Sequence, residues 1–347
     1  MELKKYSDVI EYLRKKKRPT HLLLGNGFSM AYDSEIFSYN ALHRFIDKLD
    51  NELLTRLFEI VNTKNFELVL QQLENFCELI DAFGTDPTLK DKVQVASKTL
   101  KESLIEAIEE LHPEHVFKIP QEKSQACSKF LSQYLSNDGH IFTTNYDVLL
   151  YWVLMRNSLA SHIDGFGRDV EYSDNFDPDD EPEASELRWG RNKSKQNVHY
   201  MHGALHIFDT GVEIIKEEYD CENYIMDKIK KRLLRKQYPV FVTAGTSSQK
   251  LEHVMHNRYL SECYESLCNI SGSLVVFGFG FGEYDEHIIE AINKASRLKK
   301  DRKFKDKLWS IYIGVNSSRS QNHIEKISDK FECKVNIFDA KTARVWG

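Results

Sequence analysis

The chain has 347 residues, 41% of them apolar and 29% charged, with 16 glycines and 7 prolines. That supplies a real core and argues against wholesale disorder. The formal charge of −6 argues against a dedicated nucleic-acid binder, whose footprint is a basic domain, while leaving a small nucleotide open as a ligand. The six cysteines form no Cys-x-x-Cys pair, which excludes a zinc ribbon or a thioredoxin-like redox pair. No apolar run reaches about 18 residues and the basic start has no apolar signal region, so a cytoplasmic protein that neither crosses nor enters a membrane is expected.

Residues 3–17 have the spacing of an amphipathic helix, with Tyr6, Ile10 and Leu13 on one side and Pro19 beyond its end. HLLLGNG reads as an apolar strand entering a glycine turn. From residue 40 to 136 the period is helical throughout, which predicts an inserted helical block. HIFTTNYD returns to a strand and DVLLYWVLMRN to a helix. Residues 165–197 hold eight carboxylates between Glu171 and Glu186 together with Pro178 and Pro182, the composition of an acidic flexible excursion. VHYMHGALHIFD and VEIIKEE suggest two strands, and NYIMDKIKKRLLRKQ a basic helix. YPVFVTAGTSS is a strand and loop, and LEHVMHNRYLSECYESLCNI a helix. GSLVVFGFGFGEYDEHIIEAINKAS reads as strand, glycine loop and helix. WSIYIGVN, SQNHIEKISDKF and CKVNIFDA close the chain as strand, helix and strand.

Continuous apolar strands separated by helices indicate a mostly parallel sheet covered on both faces. The expected fold is therefore α/β, a Rossmann-like open sheet built from residues 20–38 and 138–347. Residues 1–18 form an N-terminal helix, 40–136 the helical insertion and 165–197 the excursion.

Four stretches carry chemistry. Gly25-Asn26-Gly27-Phe28-Ser29 follows the first strand, where glycines permit a tight turn and a helix start offers N–H groups to a phosphate. Its spacing departs from Gly-x-Gly-x-x-Gly, and a purely structural turn fits it equally well. Thr143-Thr144-Asn145-Tyr146-Asp147 stands at the carboxyl end of a strand, the edge where open α/β sheets bind ligands. Asp147 also suits a helix cap. His199, His202 and His206 invite a metal reading, but they lie on strands and a turn, not one helical face, so no metal is expected. His202, beside Gly203, suits a proton acceptor. Gly278-Phe279-Gly280-Phe281-Gly282-Glu283-Tyr284-Asp285 is a second glycine loop after a strand, with His287 one turn into the next helix.

In combination and in order these motifs resemble the SIR2-like, sirtuin-related domain family in its zinc-free bacterial form. LLLGNGFSMA resembles the first nucleotide loop, TTNYD the Thr-Gln-Asn-Ile-Asp element, and MHG the strand end bearing the catalytic histidine. GFGFGEYDEH resembles a Gly-x-Ser-x-x-x-x-Asp-x-His element, with Gly280 where serine is expected. NFELVLQQL resembles a Phe-Glu-x-x-Leu segment. The four-cysteine zinc module of the protein deacylases has no counterpart here.

The resemblance implies an NAD+ hydrolase of anti-phage defence that cleaves the nicotinamide–ribose bond to give nicotinamide and ADP-ribose or a cyclised form. It places Asn145, His202 and Asp147 in catalysis. Gly25, Asn26, Gly27, Phe28, Ser29, Thr144, Gly278, Phe279, Gly280, Phe281 and Asp285 fall to dinucleotide binding. Control by self-assembly or a protein partner follows from the hazard of free NAD+ cleavage. The rival readings are a non-catalytic NAD+ or ADP-ribose sensor, a protein deacylase or ADP-ribosyltransferase, and a partner-binding protein with a vestigial cleft.

Overall fold

The computed structural model describes residues 3–34, 52–61, 66–84, 87–111, 116–157, 162–168, 186–219, 224–235, 237–242, 246–297 and 306–347. Strand β1 (Lys4–Lys5) leads into helix α1 (Tyr6–Lys16), which buries Tyr6, Val9, Ile10 and Leu13 and stops at Lys17, a left-handed residue at φ 50°. Strand β2 (Thr20–Leu24) runs into the short helix α2 (Gly27–Tyr32). Among the described residues three helices follow, α3 (Glu52–Val61), α4 (Phe66–Phe83) and α5 (Pro87–Leu111), and they pack on one another as the inserted block. Helix α6 (Gln121–Leu135), the last helix of the stretch 40–136, packs on the sheet. Its Phe130 ring lies 5.8 Å from Phe277, and Tyr134 shares a 2.9 Å hydroxyl contact with Tyr6 of α1.

The chain continues through β3 (Ile141–Thr143), α7 (Leu149–Arg156), β4 (Phe166–Gly167), β5 (Leu187–Trp189), β6 (Val198–Tyr200), β7 (Gly203–Asp209) and β8 (Ile214–Lys216). Then come α8 (Ile225–Leu234), β9 (Pro239–Phe241), α9 (Ser247–His256), α10 (Arg258–Cys268) and β10 (Gly272–Phe277). The last elements are α11 (Glu286–Ser296), β11 (Leu308–Val315), α12 (Ser318–Ile327) and β12 (Lys334–Asp339).

Seven strands form one parallel sheet in the order β1-β12-β11-β10-β2-β3-β6, with helices on both faces. Leu22, Leu23 and Leu24 are fully buried, as are Leu274, Val275 and Val276; the burial of each contributes about 1.5–3 kcal/mol. The two-sided cover explains why these strands read as unbroken apolar runs rather than alternating ones. From β2 the chain builds outward through β3 to β6. It then crosses to β10 and builds the other way through β11 to β12. The switch point therefore falls between β2 and β10, and ligands of open α/β sheets bind beside such a point.

A second sheet, β4-β5-β8-β7-β9, is antiparallel. Its first two strands come from the ends of the acidic stretch read as an excursion, so part of 165–197 is ordered sheet; residues 169–185 lie outside the described residues. The segment VHYMHGALHIFD, read as one strand, is two. The chain leaves the parallel sheet after Tyr200, turns at Met201–His202 and enters the antiparallel sheet at Gly203, whose φ of 76° suits only glycine comfortably. His202 thus sits where the chain passes from one sheet to the other.

Candidate functional site

The pairing of β3 with β6 ends at Thr143 opposite Tyr200, and Met201 N–H extends the ladder by donating to Thr143 O at 2.8 Å. Asn145 and His202 each lie two residues beyond that last pair. Beyond that pair the two chains stay adjacent, since Leu205 N–H donates to Tyr146 O at 2.9 Å, so Asn145 and His202 both lie just past the carboxyl ends of paired strands. Asn145 is 7% exposed and His202 6%, and no hydrogen bond joins their side chains.

Asn145 belongs to a tight cluster with the first glycine loop. Its Nδ2 donates to Gly25 O at 3.1 Å and to Ser29 Oγ at 3.0 Å. Ser29 Oγ donates to Asp147 Oδ2 at 2.5 Å, and Leu149 N–H donates to Asp147 Oδ1 at 3.0 Å. Asp147 thus lies one position ahead of the N-cap residue, Val148, accepts from the first residue of α7, and also anchors the first loop. Burial raises its pKa to about 6, against the lowering effect of Ser29 and the Leu149 N–H. Asn145 Oδ1 makes no hydrogen bond among the described residues and remains an open acceptor.

His202 belongs to a second cluster. Its Nε2 stands 3.0 Å from His287 Nε2, and His287 Nδ1 stands 3.2 Å from Ser247 Oγ. The backbone N–H of His287 donates to the same Ser247 oxygen at 2.7 Å. Beside them Lys250 pairs with Asp285 at 3.1 Å, both side chains largely buried, and Gly282 N–H donates to Asp285 Oδ2. Burial, then His287, Lys250 and His253, holds the pKa of His202 well below its ordinary value. Burial lowers that of His287 to about 4, with Asp285 opposing and Lys250 adding. Both rings are neutral at neutral pH.

The remaining loop residues divide by what surrounds them. A Cβ on Gly25 would come within 2.6 Å of Phe279 Cα, one on Gly27 within 2.6 Å of Gly278 Cα, and one on Gly278 within 2.4 Å of Phe28 N. The two glycine loops press backbone to backbone, and Gly27 N–H donates to Gly278 O at 2.8 Å. These three glycines are thus explained by the packing of the loops on each other, and the N–H groups of Gly25 and Gly27 are already bonded to Phe277 O and Gly278 O. The rings of Phe28 and Phe281 turn into the core, 0% and 2% exposed. Phe28 lies against Trp346 at 5.0 Å and Phe281 against Phe331 at 5.2 Å. Thr144 N–H donates to Leu24 O. Asn26 Nδ2 is a buried donor without a hydrogen-bond partner. Around Gly280 a Cβ would meet nothing within 4 Å.

Two open grooves flank this edge. One, about 360 Å³, lies over the ends of β10 and β11 between Phe279, Gly280, Ser317 and His323. The other, about 390 Å³, lies between α9 and α11 and is lined by Ser247, His287, Glu286, Glu290 and Lys330. Neither is lined by Asn145 or His202; the second reaches His202 through His287. No cluster of three metal-ligating side chains occurs among the described residues, and no described helix is long and apolar enough to cross a membrane.

Sequence reasoning missed Ser247 and Lys250 and did not pair His287 with His202. A lysine on the inward face of TSSQKLEHV was the available signal, because a buried lysine needs a partner.

The fold and this edge define a doubly covered parallel α/β protein whose polar groups gather at the carboxyl ends of its strands. A family profile described as a domain of unknown function, DUF4917, matches residues 22–346, and the chain belongs to that family. No curated protein is significantly similar to it.

Proposed function

We propose that this chain is an NAD+ glycohydrolase that cleaves the nicotinamide–ribose bond, with Asn145 and His202 meeting the reacting ribose. The observation that carries the reading is the β3–β6 pairing, which sets two chains side by side where they leave the sheet, one bearing an open acceptor, Asn145 Oδ1, and the other a histidine whose Nδ1 makes no hydrogen bond among the described residues. Nicotinamide leaves as a neutral base and needs no acid. The demand on the protein is to orient a water or ribose hydroxyl, take its proton and stabilise the oxocarbenium-like charge of glycosyl transfer. Asn145 orients, His202 accepts the proton, and the buried carboxylate of Asp147, ionised above about pH 6, supplies negative charge through the Ser29–Asn145 cluster. The orphaned Asn26 amide and the groove beside Gly280 suit the rest of the dinucleotide.

Regulation by self-assembly or a protein partner belongs to the proposal, since free NAD+ cleavage is lethal, and the sequence resemblance extends it to anti-phage defence. The test is nicotinamide release at micromolar protein by wild type, His202→Ala and Asn145→Ala. The expected loss for His202→Ala is about 100-fold to 10,000-fold. Release at the wild-type rate by both variants ends the reading. One observation favours a second reading, a non-catalytic NAD+ or ADP-ribose sensor: Asn145 Nδ2 is already bonded twice within the protein. Saturable NAD+ binding without turnover would support that reading.

A further inference from the structure

We propose that His287 and Ser247 form a proton relay that conducts the proton taken up at His202 into the groove between α9 and α11; this rests on the reading of His202 as the proton acceptor. The chain of contacts is continuous. His202 Nε2 meets His287 Nε2 at 3.0 Å, His287 Nδ1 meets Ser247 Oγ at 3.2 Å, and Ser247 and His287 both line the groove. His202 itself, 6% exposed, lines neither groove.

The cluster has two complete proton arrangements. In the first, His202 Nε2–H donates to His287 Nε2, and His287 Nδ1–H donates to Ser247 Oγ, which also accepts the His287 backbone N–H. His202 Nδ1 is then bare and faces no partner among the described residues. In the second, Ser247 O–H donates to His287 Nδ1, His287 Nε2–H donates to His202 Nε2, and His202 Nδ1 carries a proton. Passing from the first to the second takes one proton from a ribose hydroxyl or water at His202 Nδ1. It shifts one proton from His202 Nε2 to His287 Nε2 and one from His287 Nδ1 to Ser247 Oγ, and it releases the former hydroxyl proton of Ser247 to water in the groove. Every group starts and ends neutral. The reverse shift, after product leaves, resets the set by losing the Nδ1 proton to water and regaining one at Ser247.

Neutrality is the physical gain. A lone buried imidazole that accepted a proton would become an imidazolium in a site that disfavours charge. Lys250 and His253 face the cluster from α9 and Asp285 from the loop before α11; Lys250 opposes a charged His202, and His253, itself held below its ordinary pKa mainly by burial, supplies no compensating negative charge. A relay removes that penalty because no imidazolium forms.

Two measurements test this. The first is nicotinamide release against pH for wild type, His202→Ala, His287→Gln and His287→Ala, the last with and without added imidazole. The relay predicts that His287→Gln loses about 10-fold to 100-fold in kcat with KM nearly unchanged. It also predicts that imidazole entering by the groove restores part of the His287→Ala rate. Wild-type kcat and pH profile in His287→Gln, with release abolished in His202→Ala, overturn the relay and leave the function standing. If His202→Ala releases nicotinamide normally, or wild type releases none, the function falls and the relay falls with it. Two-bond 1H–15N spectra of the imidazoles in the wild-type protein are expected to show His202 and His287 as a complementary pair, one Nε2 protonated and the other bare, with Ser247→Ala shifting the balance. Both rings protonated at Nε2, or no response to Ser247→Ala, would overturn it.

Discussion

The parallel sheet holds buried and half-buried histidines at both of its ends, and the two groups differ in one respect. Toward the amino end, His21, His140 and His199 have fixed proton positions. His21 Nε2–H donates to Ser271 O and its Nδ1 accepts from His140 N–H. His199 Nδ1 faces Gln196 Nε2, whose amide is oriented by Trp189 Nε1–H on Gln196 Oε1. His199 Nε2–H must therefore donate to His140 Nδ1, 2.9 Å away. At the carboxyl end, His202 and His287 finish on a serine hydroxyl, which donates or accepts by rotating. Backbone carbonyls and oriented amides lock a tautomer, whereas a hydroxyl leaves it reversible. Burial and depressed basicity are common to both groups, so neither feature by itself marks a site.

The largest effect that probes this comparison is acid denaturation, because it strikes both ends together. His21, held down to about pKa 3 mainly by burial, and His199, held well below its ordinary value, stay neutral in the fold, while unfolded histidine titrates near 6.5. The unfolded chain binds more protons throughout that window, so stability is full above about pH 6.5 and falls as pH drops toward 3. Each such histidine contributes a slope of about 1.4 kcal/mol per pH unit. Urea unfolding at pH 7, 6, 5 and 4 measures it, and stability independent of pH over that range would contradict it.

A sharper separation comes from His199→Ala. It removes a ring stacked 4.7 Å from Phe142 and leaves His140 Nδ1 without its partner. A loss of about 2–4 kcal/mol is expected at pH 7, together with a shallower acid slope and unchanged nicotinamide release per folded molecule. Lost release in a folded His199→Ala would erase the distinction between the two ends.

The smallest effects separate the glycines of the two loops. Gly27→Ala drives a methyl into Gly278 Cα at 2.6 Å and is expected to cost about 1–3 kcal/mol. Gly280→Ser, with no atom within 4 Å of the new Cβ, is expected to stay within about 0.5 kcal/mol of wild type. Melting curves of the two variants check both. Equal losses would mean that the loops do not pack as described.

Much of the fold was legible because burial on both faces of a parallel sheet leaves unbroken apolar runs. HLLL, IFT, SLVVF and WSIYIGV mark β2, β3, β10 and β11 for that reason. The antiparallel sheet was hidden for a matching reason. Its strands β4 and β5 contribute two and three residues each, too short to show a period. The division of VHYMHGALHIFD between two sheets was hidden as well, since both halves are buried and Gly203 signals only a turn. Of the candidate site, Asn145 and His202 were legible as polar residues at strand ends. The partners of His202 were not: Ser247 and His287 lie 45 and 85 positions further on, and no local spacing connects them.

By itself, then, the sequence determined the strand and helix content, the doubly covered sheet and the polar strand ends, because periodicity and turn chemistry are local properties. Strand order and register decided the rest. They pressed two glycine loops together, brought the strand ends bearing Asn145 and His202 side by side, and joined His202 through His287 to a serine at the rim of a groove. Those contacts arise between segments far apart in the chain, and packing alone fixes which distant side chains meet.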